Sequence, residues 1–137
     1  MQYWLVKTEP ETWSWDDQVK KGSEPWTGVR NHQAANNMKA MKKGDLAFFY
    51  HSGGEKRIVG LVSVSGEYRP DPTDPTGKFG MVEVKAVGPV ETPVTLAEIK
   101  ADKRLNHLLL VRQSRLSVMP IDAKSWKIIC EKAGLSA

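Results

Sequence analysis

Two apolar segments joined by a short glycine spacer constrain this fold most: "DLAFFYHS" (45–52) and "RIVGLVSVSGEY" (57–68). Aromatic and β-branched residues favour strands, and Gly53-Gly54 ends the first run. The 53–56 spacer is short enough for a hairpin, which makes the two strands antiparallel neighbours. In a regular strand Phe48 and Tyr50 share one face, while Phe49 and His51 share the other. One face is expected to be core. The other could present Tyr50 or His51, with Ser52 at the strand end, to a pocket. A lone histidine in a strand, however, is more often a satisfied structural residue than a catalyst.

The rest of the chain supplies further strands and short helices. "YWLVKT" (3–8) reads as an opening strand, and "MVEVKAVGPVE" (81–91) alternates Met81, Glu83 and Lys85 with Val82, Val84 and Ala86. Ser14 with Asp17, and Thr95 with Glu98, are capping boxes; the first helix should end at Gly22. Asn31 is a good N-cap for a helix whose apolar stripe is Ala34, Met38 and Met41. "LNHLLLVR" (105–112) is apolar and ambiguous, and "RLSVMP" (115–120) reads as a strand stopped by its proline. A last helix starts at Asp122 and buries Trp126, Ile129, Cys130 and Ala133 before Gly134. The loop "RPDPTDPTGKFG" (69–80) is rigid and irregular, and loops of that length in small domains are commonly functional. With no repeat, low-complexity tract or linker, residues 1–137 read as one α+β domain: a mostly antiparallel, curled sheet or barrel flanked by helices.

Composition excludes several classes. Cys130 is the only cysteine, which rules out an internal disulfide and a Cys-rich zinc site and suits a cytoplasmic protein. His32, His51 and His107 are too far apart in sequence to suggest a metal, and no cofactor motif is present. No run is apolar enough to span a bilayer, and "MQYWLVKTEPE" lacks the plan of a signal peptide. The formal charge of +4 is unevenly spread: residues 100–132 hold eight basic groups against three acidic ones. Such an excess suits a polyanionic partner, or equally a set of solvated helix faces.

Three stretches could carry chemistry. In "WTGVRNHQAANN" (26–37), the amides after Asn31 would form a helix end that favours anions, with Arg30 adding a bidentate fork and Gly28 allowing close approach. Alternatively, Arg30 pairs with a nearby acid and Asn31 merely caps. "FFYHSGG" offers flat rings with polar tips. In "RQSRLSV" (112–118) two arginines and two serines lead into a strand and offer donors for phosphates or a base edge; the alternative is an ordinary basic turn.

Taken together, "W-T-G-V-R-N-x-Q-A", "K-x-G-D-x-x-F-F-Y-H-S", "E-Y-R-P-D-P-T" and "S-R-L-S-V" resemble the EVE domain, in order over essentially the whole chain. The resemblance implies a PUA-like fold, a mixed, mostly antiparallel β-barrel flanked by short helices, related to YTH and ASCH domains. It further implies a pocket for a modified base of DNA or RNA, lined by Trp26, Gly28, Val29, Arg30, Asn31, Tyr50, His51, Ser52, Arg115, Leu116 and Ser117. Thr27, His32 and Ala35 depart from residues common in that family, an acid, a tyrosine and an arginine respectively.

The expected function is a non-catalytic nucleic-acid-binding module that holds such a base, with no cofactor or metal and no membrane partner. The alternatives are an enzyme acting on a nucleotide and a sensor of a free, flat ligand. For the enzyme, His51 and Ser52 with Asp45, Asp71 or Glu67 would form the hydrolytic set. Adjacent residues of a strand point to opposite faces, which argues against that set.

Overall fold

The computed structural model describes residues 1–135. In chain order the elements are β1 (Tyr3–Thr8), α1 (Trp15–Lys21), β2 (Ser23–Pro25), α2 (His32–Ala40), β3 (Leu46–His51) and β4 (Arg57–Pro70). They continue with β5 (Gly80–Thr95), α3 (Leu96–Ala101), α4 (Leu109–Arg112), β6 (Val118–Ile121) and α5 (Ala123–Ala133). The helices begin where side chains satisfy the free amides: Ser14 and Thr95 form complete capping boxes, and Asn31 and Asp122 accept from the amides three residues on. Gly134 closes α5 in the left-handed conformation. The ambiguous 105–112 run resolves into a turn and the short α4.

The strands form one six-stranded mixed sheet in the order β2-β5-β4-β3-β1-β6. All pairs are antiparallel except β1 with β3, whose register sets Leu5 opposite Phe48 and Lys7 opposite Tyr50. The ladder does not close. Among the described residues β2 and β6 are its two edges, so the expected barrel is an open sheet, bent by the register shifts along β4 and β5. The edges also explain a misread boundary. Pro120 lies inside β6 and does not stop it, because an edge strand has no partner for the missing amide on its outer side. Pro25 stands in β2, the other edge, for the same reason.

β3 is interior to the sheet and covered on both faces, with residues 47–51 all buried. On one face Phe48 stacks on Trp126 of α5 at 3.8 Å between centroids, and Tyr3 stacks on the same indole at 4.5 Å. On the other, Phe49 meets Trp15 and Trp26 edge-on at 5.2 and 5.8 Å. The sequence expectation of one core face and one pocket face is therefore corrected: aromatic side chains from 3–26 and α5 cover both. Gly60 belongs to this packing. A Cβ there would lie 2.4 Å from the Trp15 ring, so only glycine lets that indole seat on β4.

Candidate functional site

A cavity of about 330 Å³ opens where the C-terminal end of β1 meets the segment between β2 and α2. Its size lies at the lower end of pockets that hold a small ligand, roughly 300–1,000 Å³. Lys7, Thr8, Thr12 and Trp13 line one part, Glu24 to Arg30 another, and Ser117 completes it. Two indoles thus border a mixed polar and apolar hollow. Trp26 is fixed from below: its amide donates to the Val82 carbonyl at 2.7 Å and its ring packs on Phe49. Trp13 precedes the α1 cap and is half-buried, its Nε1–H donating to Oε1 of the buried Gln18 at 3.0 Å.

The Gly28–Arg30 rim is held by the proline-rich loop. Gly28 sits at φ +82°, a conformation that disfavours other residues, and its amide donates to Asp71 Oδ2 at 2.9 Å. Arg30 donates to the same oxygen at 3.1 Å and to the Thr73 hydroxyl at 3.0 Å. Thr73 donates to Asp71 Oδ1 from both its amide and its hydroxyl. Burial alone would raise the Asp71 carboxyl, but the Thr73 and Gly28 donors and the Arg30 guanidinium outweigh it and hold it at about 2. Asp74 repeats the arrangement, accepting from Thr76 and from the Phe79 amide. The 69–80 loop is a buttress for the cavity rim.

A second hollow, about 320 Å³, lies next to the first and is lined by Asn31, Gln33 and 112–116. The sequence-derived site residues divide between the two. Trp26, Gly28, Val29, Arg30 and Ser117 line the first; Asn31, Arg115 and Leu116 line the second. Tyr50, His51 and Ser52 line neither. Tyr50 is 2% exposed under the Lys7 ammonium, and burial pushes its phenol up to about 12. The Ser52 amide donates to the Thr8 carbonyl, extending the β1–β3 ladder.

His51 has both ring nitrogens engaged. Nε2 accepts from the Trp15 amide at 2.9 Å, which places the ring proton on Nδ1, 2.9 Å from Glu55 Oε1. Its partner is therefore Glu55. Asp45 caps the start of β1 and β3 through Trp4, Gln2 and Lys42, Asp71 holds the cavity rim, and Glu67 accepts from the Lys43 amide. His51→Leu is expected to strand the buried Trp15 amide and to cost about 1–3 kcal/mol in urea unfolding. Ligand affinity measured on the folded protein should stay at the wild-type value. An affinity loss without a stability loss would put His51 in the site.

The sequence did not place Lys7, Thr8, Thr12, Trp13, Glu24, Pro25 or Thr27 at this cavity. Two signals were available: a lysine ending the otherwise apolar "YWLV" strand, and two tryptophans flanking a helix cap in "TWSWDD". Lys7 is partly withdrawn from water, and this burial lowers its ammonium pKa. It reaches the Ser114 carbonyl with Nζ at 3.0 Å.

An α+β fold with a mixed sheet thus carries a part-polar cavity bordered by two indoles at one end. The EVE domain family model matches residues 2–132, and the chain belongs to the EVE domain family. A Rhodopseudomonas palustris protein solved by NMR is 54% identical, with a TM-score of 0.92 over 98% of this chain and 94% of that one. Human thymocyte nuclear protein 1 is 32% identical over 93% of this chain and 72% of its own length. The human THYN1 protein in complex with DNA containing 5-methylcytosine superposes with a TM-score of 0.93 at 30% identity, covering all of both chains. A YTH domain from Zygosaccharomyces rouxii, at 16% identity and a TM-score of 0.58 over 99% of this chain and 86% of that one, shares the fold. No helix among the described residues is long and apolar enough to cross a membrane.

Proposed function

We propose that this chain is a nucleic-acid-binding module that holds one base, in a modified form, in the Trp13/Trp26 cavity and acts by binding without catalysis. The observation that carries the reading is the cavity itself: indole surface beside Lys7, Ser117 and the braced Gly28–Arg30 rim. A base offers π-faces to indoles and a polar edge to such donors. The complex of the human relative with 5-methylcytosine DNA supports the same reading. Within the proposed site Trp26, Gly28, Val29, Arg30 and Ser117 contact the base, with Lys7 and Trp13 added to them. Asn31, Arg115 and Leu116 lie beside it, and Tyr50, His51 and Ser52 support it from below. The engaged ring of His51 favours binding over hydrolysis.

We read 1–137 as one domain. The lone, buried Cys130 fits a reducing compartment, the cytoplasm in this proposal; the nucleus, named in the human relative, is reducing too.

The test is titration with 5-methyldeoxycytidine, N6-methyladenosine and their unmodified counterparts, read by calorimetry and tryptophan fluorescence. Saturable one-to-one binding that favours a modified nucleoside, with the ligand recovered unchanged, is expected. Turnover of the ligand would favour an enzyme. Failure of every nucleoside and of oligonucleotides carrying them would overturn the proposal.

A further inference from the structure

The chain has six arginines, and four of them face carboxylates: Arg30 with Asp71, Arg57 with Glu55, Arg69 with Glu83 and Arg104 with Asp102. Arg112 and Arg115 do not. Among the described residues Arg112 donates only to the Asn106 carbonyl, Arg115 makes no side-chain hydrogen bond, and both are exposed. These two line the same hollow, whose other walls are Asn31, Gln33, Gln113, Ser114 and Leu116, with no acidic residue. A hollow of amides, a hydroxyl and two uncompensated guanidiniums is suited to an anion with further oxygen acceptors.

Its place in the chain ties it to the base cavity. Two segments pass from one hollow to the other: 28–30 line the cavity and Asn31 and Gln33 the second hollow, while Ser117 lines the cavity and 112–116 the second hollow. Lys7 fixes the 114–117 turn from the cavity side, with Nζ on the Ser114 carbonyl and its amide on the Ser117 carbonyl at 2.8 Å. The two hollows therefore adjoin, one residue step apart along each segment.

We infer that the Arg112/Arg115 hollow receives a backbone phosphate of a nucleotide adjoining the one whose base fills the Trp26 cavity. The ligand is then a polymer, and a free nucleoside uses only half of the surface. This rests on the base-holding reading above. Arg115 serves the neighbouring nucleotide together with Arg112, and Arg30, tied to Asp71, shapes the rim between the hollows.

The experiment compares wild type with Arg112→Ala/Arg115→Ala. Both side chains are exposed and have no carboxylate partner among the described residues, so the fold should be retained, which a melting curve checks. Two probes are titrated at several salt concentrations: 5-methyldeoxycytidine, and a short single-stranded oligonucleotide with one central 5-methylcytosine. Wild type should bind the oligonucleotide at least tenfold more tightly than the nucleoside. The double variant should lose most of that advantage and leave nucleoside affinity unchanged. Its slope of log K against log[salt] should be shallower by about 0.7 for each phosphate it no longer neutralises. A single uncharged methylphosphonate linkage next to the modified base should weaken wild type and leave the variant unaffected. Equal wild-type affinity for both probes, or an unchanged salt slope in the variant, overturns the inference while leaving the base cavity standing. Failure of both probes on wild type overturns both.

Discussion

Trp26→Ala should lower both stability and affinity, and the two losses can be separated. The indole is only 7% exposed and packs edge-on against Phe49 in the core, so its removal leaves a void worth about 3–5 kcal/mol in urea unfolding. The same ring borders the cavity proposed to hold the base, and a base–aromatic contact is worth about 1–3 kcal/mol, or five- to over a hundredfold in Kd. Trp26→Phe should restore most of the packing and part of the affinity. Trp126 is the control. It stacks between Tyr3 and Phe48 on the opposite face of β3 and lines neither hollow, so Trp126→Phe should lose stability and keep wild-type affinity. Titrations are run well below the melting transition, so that the folded fraction is known. If folded Trp26→Ala binds a modified nucleoside as well as wild type does, Trp26 is a core residue alone and the cavity is not the site.

The contrast between the two tryptophans shows what was legible in the sequence. Local signals read correctly. Ser14/Asp17 and Thr95/Glu98 form their capping boxes, Asn31 and Asp122 cap as expected, and the 45–68 hairpin pairs as its spacer demands. Each depends on residues a few positions apart. What failed depends on long-range placement. The burial of both faces of β3 requires Trp15 and Trp26 to pack on one face and α5 on the other, and nothing local to "FFYHS" encodes that. The sequence left His51 open between a pocket residue and a structural one, and its nitrogens serve Trp15 and Glu55. Pro120 read as a strand stop because the edge position of β6 is a property of the sheet. The 26–31 and 115–117 segments do border hollows, but only the fold shows that they split between two of them and that Lys7 and Trp13 join the first. The "PDPTDPT" loop, expected from its length to be functional, braces the cavity rim through Asp71.

That brace yields the second large effect. Asp71 accepts from Gly28, Arg30 and twice from Thr73, and the residue is only 2% exposed. Asp71→Ala removes these bonds together. Hydrogen bonds to a charged group contribute about 1.5–3 kcal/mol each, and bonds sharing one acceptor do not add, so a total loss of about 3 kcal/mol is expected. Affinity should fall as well, because Gly28 and Arg30 lose the anchor that holds the cavity rim. Asp71→Asn preserves the shape but not the charge, and should show a smaller loss of both. Acid should act on wild type in the same way. The folded protein keeps this carboxyl ionised down to about 2, whereas its ordinary value is 3.8. The unfolded chain therefore takes up the proton first as pH falls. The stabilisation from Asp71 is complete above about pH 4 and is lost as pH falls through about 2. Asp74 and Asp122 are also held at about 2 and contribute to the same window, so the informative quantity is the difference between wild type and Asp71→Asn. Urea unfolding of both proteins between pH 7 and pH 2 should show a constant gap down to about pH 4 that narrows below it. A gap independent of pH across that range would mean that the Asp71 charge does not hold the rim, and that Thr73 and Gly28 are fixed by backbone geometry alone.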